Sequence, residues 1–494
     1  MSTPTAPTRP AEPARPVLDA VFGGLWPDQR SGGRPHLVGA ALVVGLLAAI
    51  VVPFRDLGVG TFLVLVSIYA VVATAARDRL DRTMLGYGVL CLLLTATVVL
   101  RDAAWIVVLC LMATFAVGAA ALTGARSVNG LIASLAAVPL AGLRGLPWLG
   151  RSFTVPGRAA AWWPLLRTLA VSLILVLVFG ALFASADALF AQWVSAVVPD
   201  LTLDSVSLRA FVLAAVFGLT TAGVYVALVP PRVDRLALPP GRVVRRFEWV
   251  APVALVVAMF VVFLGAQLTA MFGGHAYLRR TTGLTYAEYV HQGFGQLTLV
   301  TVLTLAVVAT VVRHAPRATS SDRLLVRMML GALCALTLLV VVSALYRLHV
   351  YEEAYGFTRL RLLVSVFEAW LGVVVAFVLA AGITLRARWV PRAALLTGAA
   401  MLLGLAAINP DAYIAEQNIE RFERTGRIDW AYLAGLSDDA APALARLPEH
   451  YQACVVGDAP TADDWLEWNL GRARAAEAPR PSALPARPDC VSRG

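Results

Sequence analysis

The chain is dominated by apolar runs that recur at the length a helix needs to cross a membrane. Covering about 30 Å of hydrocarbon takes about 20 helical residues. Eleven such runs lie near 37–54, 58–76, 84–100, 103–123, 163–184, 208–229, 249–273, 293–312, 324–346, 361–384 and 393–408. Hydrophobic residues make up 59% of the chain, too many for the polar surface of a soluble domain. The pattern predicts an all-α integral membrane protein with about 11 transmembrane helices.

Arginine is concentrated in every second loop, and this alternation sets the expected orientation. The arginine-rich loops lie near 77–82, 126–158, 232–246, 313–323 and 386–392. Loops on the cytoplasmic side of a membrane carry the excess of basic residues. We therefore expect a multi-pass protein of the cell membrane with a cytoplasmic N-terminus and an extracytoplasmic C-terminus. The net charge of +10 is explained by these basic loops. We therefore do not expect nucleic acid as a partner.

Composition divides the chain into four parts. We expect a disordered cytoplasmic tail, a polytopic transmembrane domain, an extracytoplasmic helical cap and a disordered tail, at 1–35, 36–408, 409–478 and 479–494. The segment 127–150 is apolar but interrupted by Gly, Pro and Arg, and is interpreted as an interfacial helix, with a re-entrant segment as the alternative. In the C-terminal cap, residues 409–478, apolar residues recur at helical spacing until Gly426, a typical helix stop.

The five cysteines fall into two groups according to their position in the chain. Cys91, Cys110 and Cys334 lie within apolar runs, where cysteine usually acts as a small buried hydrophobe. Cys454 and Cys490 both lie in the proposed outer region, where a disulfide can form. The sequence leaves open whether these two pair. It contains no C-x-x-C pattern and so gives no indication of a zinc ribbon or a thioredoxin-like site.

The most polar stretch is a hairpin between two apolar runs, the polar hairpin (residues 343–370). Ionisable groups placed against or within a membrane span are candidates for function. Helical spacing puts Arg361, Ser365 and Glu368 on one stripe, with Glu368 about 10 Å deeper than Arg361. Together with neighbouring outer loops, the hairpin defines a candidate polar site. Its members are Asp187, Arg209, Glu288, Tyr289, Arg347, Glu353, Tyr355, Arg359, Arg361 and Glu368.

This candidate site has more than one interpretation. Glu368 and an arginine, Arg347 or Arg209, can form a buried ion pair that fixes helix packing, or a proton, ion or anionic-substrate site. The spacings Glu288-x-x-His291 and His349-x-x-Glu352 resemble some metal sites but are short enough to arise by chance. We therefore expect no metal, no cofactor and no catalytic residue. No nucleotide-binding loop is found in the sequence.

Several segments resemble a known family. They are FASADALF at 183–190, FGGHAYLRRTTGLTYAEYVHQGFGQLTLVT at 272–301 and SALYRLHVYEEAYGFTRLRL at 343–362, and the start of the cap, NPDAYIAEQNIERF, is similar too. Over roughly residues 160–450 the chain resembles actinobacterial members of a multi-pass membrane family. That family is labelled "domain of unknown function", of the forty-one fifty-three and forty-one seventy-three kind. The resemblance implies an integral membrane protein with a polar hairpin near its C-terminal spans, and it carries over no activity.

Three hypotheses on function follow. The first is a non-enzymatic cell-envelope sensor, scaffold or regulatory protein whose outer face binds a partner. The second is a secondary transporter that uses an intramembrane Glu/Arg site. The third is an envelope enzyme acting on a lipid-linked or phosphate-bearing substrate, which lacks a recognisable catalytic pattern. Besides the lipid bilayer, the expected partner is an unidentified envelope protein or small-molecule ligand.

Overall fold

The computed structural model is helical throughout the residues it describes, which include no β-strand. The described residues are 24–26, 32–153, 203–237, 241–272, 294–455 and 463–479, with Cys490 and isolated positions between 168 and 187. Within these ranges, twelve α-helices precede the cap: α1 Pro35–Val51, α2 Val59–Ala75, α3 Arg82–Leu100, α4 Ala104–Thr123, α5 Val128–Arg144, α6 Leu146–Ser152, α7 Leu203–Leu228, α8 Arg246–Phe272, α9 Phe294–His314, α10 Ser320–Tyr355, α11 Arg359–Thr384 and α12 Val390–Ala407.

Eight of these helices, within the described ranges, are long and apolar enough to cross a membrane: α3, α4 and α7 to α12. Helices α1 and α2 are apolar but have only 17 residues each. The predicted fifth span, near 163–184, lies outside the described residues apart from isolated positions. The all-α membrane fold is thus confirmed, while the count of 11 spans is not.

Large apolar side chains remain exposed on the outside of the bundle. On α8, Leu255, Met259 and Val262 are 72%, 69% and 69% exposed. A soluble protein rarely exposes a continuous apolar surface of this kind, whereas lipid chains cover it without penalty. The exposed surface therefore agrees with the length and composition of the helices.

The described helices alternate in direction, so their loops gather at two ends. One end, the cap end, holds the loops at 52–58, 101–103 and 356–358. The other, the arginine end, holds the loops at 76–81, 124–127, 229–237, 241–245, 315–319 and 385–389. At the arginine end the carboxylate of Asp234 accepts hydrogen bonds from the backbone N–H of Arg126 and Ser127, at 3.0 and 2.9 Å. The loops predicted to share a side thus lie together; which side faces the cytoplasm stays a prediction.

Arginine side chains satisfy the carbonyl groups at several helix ends. Arg101 donates from Nε to Ala406 O at 2.6 Å, and Arg209 donates from Nη1 to Ala49 O at 2.8 Å. At the arginine end, Arg392 donates from Nε to Ala125 O at 2.7 Å. The last carbonyl groups of a helix have no partner within the helix. These bonds therefore supply missing donors and tie neighbouring helices together.

Helices α5 and α6 form a pair bent by 49° whose two ends meet the same end of the bundle. Helix α5 begins at Ser127, beside Asp234. Helix α6 lies against the start of α1, where Trp148 Nε1 donates to Gly32 O at 3.2 Å. Trp148 and Ala125 belong to one buried apolar cluster. A segment that returns to its starting end fits the interpretation of 127–150 as non-spanning, although its depth in lipid stays a prediction.

Helix α10 is the longest element described. It starts with a capping box, in which Thr319 and Asp322 each accept from the other's backbone N–H. Its 36 residues extend about 54 Å, well beyond the roughly 30 Å of hydrocarbon. The last turn carries Glu352 and Ala354 and contacts the cap, where Arg421 Nη2 donates to Ala354 O at 2.8 Å.

The cap contains five short helices in its described part: α13 Pro410–Thr425, α14 Trp430–Ala434, α15 Ala441–Leu444, α16 Glu449–Gln452 and α17 Leu470–Glu477. Gly426 ends α13 in the left-handed conformation, at φ +69°, as expected from the sequence. A small apolar core surrounds Trp430, Leu433 and Leu444. A disulfide joins Cys454 to Cys490, with their Cα atoms 5.7 Å apart.

Replacing Cys454 by Ser should lower the stability of the cap. The disulfide closes a loop of 36 residues, and loss of such a constraint costs up to about 3.5–4 kcal/mol. Thermal unfolding of the full-length protein in detergent measures the change. The variant should be insensitive to reductant, whereas the natural protein should lose stability when reductant is added. An unchanged melting temperature of the natural protein in reductant would contradict this expectation.

Candidate functional site

The turn of the polar hairpin is built by a glycine and held by the cap. Gly356 adopts φ +87°, a conformation that favours glycine, and an added Cβ would lie 2.5 Å from Asn418 Oδ1. Asn418 pairs with both backbone groups of Phe357: its Oδ1 accepts from the N–H at 3.0 Å and its Nδ2 donates to the carbonyl at 2.9 Å. Both the backbone conformation and the approach of α13 therefore require glycine here.

Arg359 and Asp411 form the ion pair at the centre of this contact. Arg359 Nε donates to Asp411 Oδ1 at 2.9 Å, and Nη2 bonds the second carboxylate oxygen. The Asp411 side chain is fully buried, while Arg359 is 34% exposed. Two further donors reach the same carboxylate, Ser437 N at 2.9 Å and Trp105 Nε1 at 3.1 Å. Helices α4, α11 and α13 thus converge on a single acid.

These donors set the titration of Asp411. Burial acts to raise its pKa, but hydrogen bonds from Arg359 and from Ser437 N outweigh burial, so the pKa lies below its usual value. The carboxylate is therefore charged at neutral pH and stabilises the folded cap. The sequence placed Arg359 in the candidate site but gave no indication of its partner 52 residues later.

A second acid fastens the cap to the α3–α4 loop. Asp439 Oδ2 accepts from the backbone N–H of Asp102 at 2.7 Å and of Ala103 at 2.9 Å. Burial raises the pKa of Asp439 above its usual value, although these two donors act in the opposite direction. Nearby, Asn469 donates to Val98 O at 3.0 Å and to Arg101 O at 2.9 Å. Both side chains bridge the cap and the bundle, and neither was identified from the sequence.

Other predicted members of the candidate site lie on the hairpin surface. The Arg361 guanidinium lies 4.5 Å from the Tyr351 ring, which in turn contacts Tyr355 at 4.7 Å. His349 and Glu353 form an exposed pair at 3.6 Å, four residues apart. Glu352 instead faces inwards. The ion pair of His349 is therefore with Glu353 and not with Glu352 of the proposed spacing.

Four predicted residues lie away from this cluster or outside the described residues. Arg209 was one expected partner of Glu368, but it donates to the α1 carbonyl groups of Ala49 and Ile50, so that expectation is wrong. Asp187 is exposed, and its N–H bonds Phe183 O at 2.9 Å. Glu288 and Tyr289 fall in the part of the chain that the structure does not describe. Arg347, the other expected partner, is half-buried on α10.

Glu368 is the most deeply buried acid of the candidate site. Its side chain is 0% exposed, and no charged group pairs with its carboxylate among the described residues. Thr298 and Thr301 of α9 face the carboxyl group. The Thr301 hydroxyl already donates to Leu297 O at 3.1 Å. The carboxyl group therefore sits between α9 and α11 without the arginine that the sequence suggested.

Glu352, on α10, lies nearer the cap end than Glu368 does and faces α11. It is 5% exposed, and its Oε1 lies 3.5 Å from the Ser365 hydroxyl. Ser365 is three residues before Glu368, on the same helical face. The stripe predicted on α11 therefore exists and faces α10. No group of three His, Cys, Asp or Glu side chains suitable for a metal ion occurs within the described ranges.

Residues 88–447 match the model of a family described as "Domain of unknown function (DUF4153)". The chain belongs to this family. No curated protein and no solved structure matches it. The DUF4153 match includes the polar hairpin and both bridging acids, Asp411 and Asp439, and it ends before Asn469 and the disulfide. The arrangement of hairpin and cap thus falls largely within the family region.

Replacing Asp411 by Asn should lower stability at neutral pH by about 3 kcal/mol, because it leaves Arg359 opposite a neutral amide. Since the folded-state pKa of Asp411 is depressed, the stabilisation is present above the usual carboxyl pKa and is lost as pH falls below it. The difference in melting temperature between the natural protein and the variant should therefore shrink from neutral pH to about pH 3.

Glu420→Gln is the matched control, because Glu420 is exposed on the same helix. Its melting temperature should follow that of the natural protein at both pH values. A difference between the Asp411 variant and the natural protein that grows on acidification would contradict the sign assigned to this pair.

Proposed function

We propose that this DUF4153 protein is a cell-envelope sensor, scaffold or regulatory protein whose cap faces outside the cell and binds a partner. One observation carries the proposal: the cap contacts three separate parts of the cap end. These are the α1–α2 loop, the α3–α4 loop and the hairpin turn. A ligand bound to the cap therefore acts on several membrane helices at once.

The contacts are polar and specific, which suits transmission of a binding event. Gly60 N donates to Leu466 O at 2.7 Å. Arg472 forms ion pairs with Asp102 and with Asp463, each at 3.0 Å. Together with the Arg359–Asp411 pair, they link the cap to α2, α4 and α11. Side chains in such networks have few alternative partners, so a shift of the cap must move the helices or break the bonds.

The charge of the cap indicates the chemistry of the partner. Residues 409–478 contain thirteen acids and six arginines, although the whole chain has a net charge of +10. Glu420, Glu423 and Glu449 are exposed. Complementary charge speeds and orients association, so an acidic cap suits a basic surface on the partner.

Two features support an extracytoplasmic cap in the cell membrane. The arginine-rich loops lie at the opposite end of the bundle, and such loops are typically cytoplasmic. The Cys454–Cys490 disulfide suits an oxidising compartment. Both features give the same orientation.

The orientation and the partner can be tested together in intact cells. A cysteine at Glu420 should react with a membrane-impermeant thiol reagent, whereas one at Arg323 of the arginine end should react only after the cells are opened. A photo-crosslinker at Glu423 should give an adduct with a basic envelope protein, and Asp411→Asn, which loosens the cap, should reduce its yield. Labelling of the Arg323 position alone in intact cells, or no adduct at Glu423, would overturn the proposal.

A second candidate function, proton-coupled transport, is favoured by Glu368. A carboxyl group buried within a membrane bundle that faces threonine hydroxyl groups and has no ionic partner among the described residues is stable when it carries a proton. Glu352 and Ser365 lie between it and the cap end, providing polar groups along the α10–α11 interface. Reversible protonation at this position would couple solute movement to a proton gradient.

Glu368→Gln tests this candidate against a packing role. Because Gln resembles the protonated acid, the variant should fold and reach the natural abundance but lose proton-driven uptake in proteoliposomes. Glu353→Gln, on the exposed side of α10, is the matched control and should transport normally. Loss of abundance in the Glu368 variant would support a packing role, and proton movement equal to that of the natural protein would exclude Glu368 as the proton site.

A further inference from the structure

A cavity of about 860 Å³ opens at the arginine end of the bundle. Its floor is apolar and comes from α9, α10 and α11, with Val308, Leu330 and Leu379 as representatives. Its opening lies beside the 385–389 loop, where Ile383 is 69% exposed. A volume of this size is in the range of ligand pockets, and its position at the ends of apolar helices puts it at the depth of lipid headgroups.

Four arginines surround the opening: Arg126, Arg317, Arg327 and Arg388. None of them forms an ion pair with a carboxylate among the described residues. Arg317 donates from Nη2 to Val312 O, and its Nε is buried without a hydrogen-bond acceptor. One acid, Asp234, also lines the cavity. Its oxygens accept hydrogen bonds from the N–H groups of Arg126 and Ser127 and from the Ser127 hydroxyl. The positive charge at the opening is therefore not balanced by the acid beside it.

The arginines at the cap end differ. Arg359 and Arg472 bind carboxylates, and Arg101 and Arg209 bind backbone carbonyl groups. Of the cavity arginines, Arg317 also binds a backbone carbonyl group, that of Val312. The guanidinium groups of Arg126, Arg327 and Arg388 have no such bond among the described residues. Apolar walls and a cationic opening together match a molecule with a hydrocarbon chain and an anionic headgroup.

We propose that this cavity binds an anionic phospholipid of the surrounding membrane, with an acyl chain against α9, α10 and α11 and the phosphate among the arginines. Clusters of basic residues at the membrane surface attract anionic lipids, and basic pockets between helices bind their headgroups. Arginine suits phosphate because its planar guanidinium donates two parallel hydrogen bonds. The proposal does not depend on the function assigned to the cap or to Glu368.

The test uses the full-length protein in detergent, titrated with phosphatidylglycerol or, separately, with phosphatidylcholine, and bound lipid is read by native mass spectrometry. The natural protein should prefer phosphatidylglycerol. Arg327→Gln with Arg388→Gln should weaken that binding by about 30-fold, from the usual contribution of two surface arginines. Arg77→Gln with Arg82→Gln removes the same charge at the same end, outside the cavity, and should change binding by less than about twofold.

A second pair of variants tests the space without changing charge. Gly382 lines the cavity, and a Cβ added there meets no atom within 4 Å, so Gly382→Leu should occupy the cavity and abolish the lipid preference. Gly404 of α12 is equally open but lies near the cap end, and Gly404→Leu should bind as the natural protein does.

The outcomes separate the alternatives. Equal loss in both arginine pairs means that net charge alone attracts lipid, and normal binding in Gly382→Leu means that the cavity is not the site; either result overturns the proposal. Competition by inorganic phosphate at concentrations comparable to the lipid would identify a soluble anion site instead. If the glutamine pair fails to fold, Arg327→Lys with Arg388→Lys retains the charge and should keep the lipid preference.

Discussion

The carbonyl groups at the ends of the membrane helices need hydrogen-bond donors, and arginine side chains supply many of them. In a low-dielectric surrounding an unpaired carbonyl group costs several kcal/mol, so the fold depends on these donors. Arg101, Arg209 and Arg392 each donate to the end of a helix other than their own. The same bonds that satisfy the backbone therefore also fix which helices are neighbours. An arginine-rich chain of this kind can use short loops and still hold its helix ends in place.

Buried acids in this protein are accommodated in three different ways. Asp411 has an arginine, Asp439 has backbone N–H groups, and Glu368 has neither among the described residues. The first two lie where the cap meets the bundle, and their hydrogen bonds hold the cap in place. Glu368 lies deeper, between helices that pack through apolar side chains. Its carboxyl group faces the hydroxyl groups of Thr298 and Thr301 instead of a charged partner.

The sequence predicted the helices well because apolar length and arginine placement are local properties. Helix positions, the stop at Gly426 and the polar stripe on α11 all follow from spacing along the chain. The partner of Arg359 does not, because Asp411 becomes its neighbour only after three helices and the cap have folded together. His349 shows a local limit: residues three and four positions away are both neighbours on a helix, and the structure pairs it with Glu353 rather than Glu352.

Helix α10 passes without interruption from the arginine end, where Leu330 and Cys334 line the cavity, to the hairpin turn beneath the cap. A helix of about 54 Å behaves as a lever. A tilt of about 5° at one end displaces the other by about 5 Å, close to one helical turn. A ligand that tilts α10 at the cavity would therefore also move the hairpin turn beneath the cap through this single helix.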